Sequence, residues 1–274
     1  MVTANIPLFL PASKIKGEKV TTANGEDLGK IEDIMIDQEK GMIAYAVISF
    51  GGFLGIGNKQ FAIPWEALSE GQNEHAFTLK INKEILEKAE GFDKDKLPLT
   101  RDQLNNTYAH YGNKPYWETG SSANIPLFLP ASTIKGEKVT NMAGEDLGKI
   151  DDIMIDQENG KIAYAVISFG GFLGMGDKQF AIPWEAISEG QEGYAFTLKV
   201  NKEILEKSEG FDKDKLPLTR DQLTKTYAYY GNKPYWESGA SRQTVEEKQE
   251  ETETERLDRM EREESRQEAL EKRM

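Results

Sequence analysis

The residues with the clearest potential for chemistry are a glycine run, "GGFLGIGNK" from Gly51 to Lys59, which returns as "GGFLGMGDK" from Gly170 to Lys178. A glycine-rich turn ending in lysine could wrap a phosphate, because backbone N–H groups converge where side chains are absent. A nucleotide-binding loop needs G-x-x-x-x-G-K-[ST] leading from a strand into a helix. Here Asn58 separates Gly57 from Lys59, Asp177 separates Gly176 from Lys178, and a glutamine follows each lysine. The "FAIPW" that comes next reads as a strand, which has no helix N-terminus to meet an anion. The run is therefore expected to be a supple hairpin connection. Phe53 and Leu54, with their counterparts Phe172 and Leu173, sit at its tip as candidate protein-contact residues.

Other reactive groups are sparse or unpaired. The two histidines, His75 and His110, are replaced by Tyr194 and Tyr229 at the equivalent positions, so no histidine acid, base or metal ligand is shared by both copies. A packing role is expected instead. Glu26, Asp27, Glu32, Asp33 and Asp37 could pair for hydrolysis or hold calcium, but "DQEKG" and "DKDKL" lack the D-x-D-x-D-G progression of a calcium loop. These acids are expected at solvent-facing strand ends and turns. There is no cysteine, hence no disulfide, thiolate site or cysteine nucleophile. No catalytic, metal or cofactor site is expected, and the chain does not read as an enzyme.

The aromatics are more suggestive. Tyr108, Tyr111, Tyr116 and Trp117 recur as Tyr227, Tyr230, Tyr235 and Trp236. Leu104 and Tyr108 share a helical stripe and should be core. Tyr116 and Trp117, with Tyr235 and Trp236, lie beyond the helix stop and after a proline, and are the better candidates for a protein interface.

Charge narrows the partners. The net charge of −13 on 274 residues repels phosphate backbones, so nucleic acid is not expected as a partner. No apolar run approaches the roughly 18 residues that cross a bilayer. The apolar patch Ile6–Leu10 is interrupted by Pro7, bounded by Pro11 and preceded by no basic residue, unlike a secretory signal. A cytoplasmic protein is expected, with protein partners.

The elements that would position these residues are written twice. Ala4 aligns with Ala123 and Asn113 with Asn232, and about 18 of roughly 115 aligned positions differ. A unit of this size can fold as a domain, so residues 4–118 and 123–237 are expected to be two domains joined by the linker 119–122, with packing of one on the other left open. From residue 240 the chain is mostly Glu, Arg, Lys and Gln, and reads as a charged helical or disordered tail. Within a copy, a hairpin turning at Asn24-Gly25, the strands "MIAYAVISF", "KQFAIPW" and "AFTLKI", and two helices opening near Asn82 and Thr100 are expected. Thr100 and Gln103 have capping-box spacing. Pro64 should mark a strand edge or end. So much short antiparallel strand suggests a small barrel followed by two short helices, mainly β with α, in each copy.

The order "GEDLGKIEDIMID", "MIAYAVISF", "KQFAIPWEAL" resembles the PRC-barrel family, named for the cytoplasmic domain of the photosynthetic reaction centre H subunit. The likeness runs from Ile15 to Ile81 and from Ile134 to Val200, and "YAHYGNKPYWE" is similar to the tail of bacterial stand-alone members. The resemblance implies tandem β-barrels that bind other proteins without doing chemistry. It also implies an alternative role as an accessory subunit docking peripherally on a photosynthetic or electron-transport membrane complex. The H subunit's transmembrane helix has no counterpart here, and neither does the extra domain of the ribosome maturation factors that share the barrel.

Overall fold

The apolar run from Met42 to Ser49 is long enough to be buried on both faces, and that property organises the molecule. The computed structural model describes residues 9–50, 60–71, 76–80, 85–86, 88–93, 96–119, 128–169, 178–190, 196–200, 202–208, 210–211 and 216–237. The described residues as far as Asn232 form one compact unit, and Lys233–Glu237 belong to a second.

The first repeat runs β1 (Phe9–Pro11), α1 (Ala12–Ile15), β2 (Lys19–Thr22), β3 (Asp27–Asp37), β4 (Met42–Ser49), β5 (Gln60–Pro64), β6 (Leu68–Glu70), β7 (Phe77–Leu79) and α2 (Arg101–His110). The second runs β8 (Phe128–Pro130), α3 (Ala131–Ile134), β9 (Lys138–Asn141), β10 (Asp146–Asp156), β11 (Lys161–Phe169), β12 (Lys178–Pro183), β13 (Ile187–Glu189), β14 (Phe196–Leu198), α4 (Lys202–Lys207) and α5 (Arg220–Tyr229).

β3, β4 and β5 form an antiparallel meander, with Ile34 opposite Ala46 and Ser49 opposite Gln60. Strand pairing on both sides of the glycine run makes that run a hairpin connection and leaves no helix after it. β4 is buried on both faces as its continuous apolar pattern requires. Ile43, Ala46 and Ile48 join one cluster, while Ala44, Tyr45 and Val47 join a second beneath α2. Pro64 ends β5 and opens the 3-10 turn Trp65–Ala67. The cap of α2 is as expected: the Thr100 hydroxyl accepts from Gln103 N–H and Gln103 reaches back to Thr100 N–H. α5 repeats this with Thr219 and Gln222.

Two expectations need correction. β7 pairs with β2 in parallel, Thr78 opposite Thr21, so the sheet is not wholly antiparallel. Nor do the strands close into two separate barrels. The fourteen described strands make one strongly curled sheet that runs through both repeats, in the order β13-β14-β9-β10-β11-β4-β3-β2-β7-β6.

The reason lies in "PLFLPAS", read at first only as a broken apolar patch. Pro7 and Pro11 bound a segment too short to make a hairpin of its own, yet well suited to an edge position. β1 pairs with β10 of the second repeat, Leu10 opposite Ile155, and β8 pairs with β3 of the first, Leu129 opposite Ile36. The repeats have exchanged their N-terminal arms. The main buried cluster accordingly draws residues from both repeats.

Candidate protein-interaction site

The site with the most built geometry is the groove where an arm meets its acceptor strand. In the first repeat the acceptor is the C-terminal half of β3. β8 adds to its edge, and the Phe128 ring drops into the cluster of Tyr45, Leu104, Tyr108 and Trp117. Phe128 lies edge-on to Tyr45 at 6.3 Å between ring centroids and 5.7 Å from Trp117. The second repeat receives Phe9 against Tyr164 at 6.3 Å.

Polar groups fix the register. Ser132 donates its hydroxyl to Asp33 Oδ2, and its backbone N–H reaches Asp33 Oδ1 at 3.3 Å. Ser13 repeats both contacts with Asp152. Further along, Trp184 Nε1 donates to the Gln38 carbonyl at 3.0 Å and Trp65 Nε1 to the Gln157 carbonyl at 3.0 Å. Ile43 N–H donates to Gly160 O at 2.8 Å and Ile162 N–H to Gly41 O at 2.7 Å. Each contact has its mirror, as an isologous interface demands.

Of the residues singled out from sequence, Trp117 is buried at 3 % exposure, stacked edge-on against Tyr108 at 5.0 Å, with its Nε1 donating to Asn105 Oδ1. Tyr116 is half-buried and donates its hydroxyl to Asp37 Oδ2 at 2.8 Å, with Lys40 Nζ 5.2 Å from its ring centre. The first repeat thus uses this pair around the arm of the second. Tyr235 is buried and Trp236 half-buried, the two rings edge-on at 4.9 Å. Phe53, Leu54, Phe172 and Leu173 lie outside the described residues, as do His75 and the tail from residue 240.

The acids divide. Asp27 meets Lys19 and Glu32 meets Lys30 on the surface, as expected. Asp37 does not: it is 0 % exposed, as is Asp156, and this corrects the solvent-facing reading. Arm addition covers Asp37, opposite Phe128, and its carboxylate accepts from Lys40 N–H at 3.0 Å and from Tyr116. Asp156 accepts from the backbone N–H and the side-chain amide of Asn159. Burial, with Asp37 beside it, holds the Tyr116 phenol well above its ordinary range.

His110 places Nε2 2.7 Å from Ile85 O, and Tyr229 donates to the equivalent Ile204 O at 2.7 Å. The exchange of histidine for tyrosine keeps one structural contact. A cleft of about 460 Å³ lies between α5 and β12, lined by Phe180, Phe211, Leu218 and Tyr230, and its twin of about 290 Å³ lies between α2 and β5. Among the described residues no group of three or more His, Asp or Glu is placed to hold a metal ion, and no helix is long and apolar enough to cross a membrane.

Sequence reasoning missed the arm. Its signal was present as the repeated "FLP" ahead of a four-residue helix, but a three-residue strand is below the length at which periodicity speaks. The family model described as PRC-barrel domain matches residues 9–86 and 128–199. No curated protein matches the chain.

Proposed function

The chain belongs to the PRC-barrel domain family, and from that premise we propose that it is a non-catalytic adaptor that binds other proteins. The observation that supports this reading is the arm groove: each acceptor edge takes an extended segment by main-chain pairing, and a pocket beneath α2 takes an aromatic side chain from it. Strand addition of this kind is a general mode of peptide recognition, in which backbone bonds give affinity and alternate side chains give selectivity. Duplication then adds avidity wherever two sites engage one assembly.

The test is cross-linking of the full chain in its native cells, followed by titration of each purified captured protein against the full chain. Saturable binding of defined stoichiometry supports the adaptor reading. A captured subunit of a photosynthetic or electron-transport complex would narrow it to an accessory role there. Turnover of a small molecule, or a large saturable thermal shift with metals, nucleotides or quinones in the absence of any protein binding, would overturn it.

A further inference from the structure

Each repeat completes its core with an arm from the other, and the contacts that do so are indifferent to the link between them. The arms Ala4–Ser13 and Ala123–Ser132 are identical in sequence, and the acceptors Ile31–Asp37 and Ile150–Asp156 differ only at Glu32 against Asp151. Neither Glu32 nor Asp151 is among the arm contacts: Ser49 donates to Glu32 Oε1 and Ser168 to Asp151 Oδ1, each within its own repeat. An acceptor edge therefore has no means of telling one arm from another, and proximity alone assigns them. We infer that arm and acceptor together form a self-association site that works in trans, its ligand being the arm of any second copy of the repeat. The two halves of the chain hold together without their covalent link, and opened chains pair with one another.

One feature does discriminate between pairings. Where the repeats cross, Met42 stands opposite Lys161, and Lys161 reaches Glu185 at 3.4 Å. Two first repeats would place Met42 against Met42. Two second repeats would place Lys161 against Lys161, and like charges directly opposite in an antiparallel pair are unfavourable. The mixed pair is favoured over the second-with-second pair by roughly two- to fivefold on that contact.

The experiment places a protease recognition sequence within residues 120–122 of the full-length chain. The uncut protein is first required to keep the circular dichroism and melting temperature of the parent. After cutting, light scattering on a sizing column is expected to find one species of unchanged mass, with both fragments at one to one over about a hundredfold dilution. Cut protein mixed with an isotope-labelled cut sample, opened in urea and refolded, is expected to exchange fragments, with first-with-first pairs outnumbering second-with-second pairs. Lys161→Met should bring the second-with-second yield up to the first-with-first level. Separation into single fragments, precipitation on cutting, or co-elution without fragment exchange would overturn the inference.

Discussion

Phe128 of the second repeat lies edge-on to Tyr45 of the first, 6.3 Å between ring centres, while the Tyr45 hydroxyl accepts from the Leu99 N–H at 3.1 Å. An aromatic side chain from one repeat is thus a core residue of the other. Phe128→Ala is expected to cost about 3–5 kcal/mol, the range for emptying a buried phenylalanine site. Phe9→Ala should cost a similar amount through Tyr164. Urea unfolding followed by circular dichroism checks this. Each substitution should shift one common transition; two transitions moving separately would show that the repeats unfold independently.

Gly41 carries the second prediction. Its φ is +62°, and an added Cβ would strike the Trp184 indole, which is anchored by its bond to Gln38 O. Gly25, at φ +83°, has open space where a Cβ would go. Gly25→Ala should cost about 1–2 kcal/mol from the left-handed backbone alone. Gly41→Ala should cost distinctly more, because the clash falls on a cross-repeat contact. Equal losses in parallel melts would remove the argument that the indole is fixed.

The buried carboxylate pair makes a comparison between repeats. Tyr116→Phe deletes a donor to Asp37, a cost of about 1–3 kcal/mol when the acceptor is sealed from water. In the second repeat Asn159 supplies a side-chain donor to Asp156 where the first has Lys40. Adding Lys40→Asn to the Tyr116→Phe variant is therefore expected to recover part of the loss, read as a rise in melting temperature.

The tyrosines set the alkaline limit. Burial pushes Tyr230 up to about 12, and burial also raises Tyr45, Tyr111, Tyr164 and Tyr227 above the ordinary value near 10. Above pH 10 or so the unfolded chain releases phenolic protons that the folded chain retains. Stability from this source is whole below about pH 10 and falls as pH rises through the folded values, by up to about 1.4 kcal/mol per pH unit per tyrosine. The urea midpoint should be flat to about pH 9.5 and then drop steeply. Phenolate absorbance should lag and rise together with unfolding; a smooth titration centred near pH 10 would contradict the burial.

Much of the single repeat was legible because its signals are local. The Thr100–Gln103 cap, the Asn24-Gly25 turn and the doubly buried run at β4 are each decided by residues close in sequence, and each was found where expected. The exchange was not legible, because "FLP" has the same propensity whether it adds to its own repeat's sheet or to its neighbour's. Asp37 was misplaced for a related reason: its burial comes from Phe128, far along the chain, and no neighbour in sequence announces it. The parallel pairing of β7 with β2 likewise depends on a closure that strand patterns do not encode.

Reciprocal arm exchange also sets a timetable for biogenesis. A chain emerges from the ribosome at about 5–20 residues per second, N-terminal portion first. The first repeat's cluster beneath α2 needs Phe128, which is made only after the whole of that repeat and the linker. During that interval the β3 edge and the pocket around Tyr45 and Trp117 stand open, with the arm of a neighbouring nascent chain as their competitor. Assembly within one chain is then a race that the short linker wins by keeping the correct arm near, and lengthening that linker would hand the advantage to neighbours on the same message.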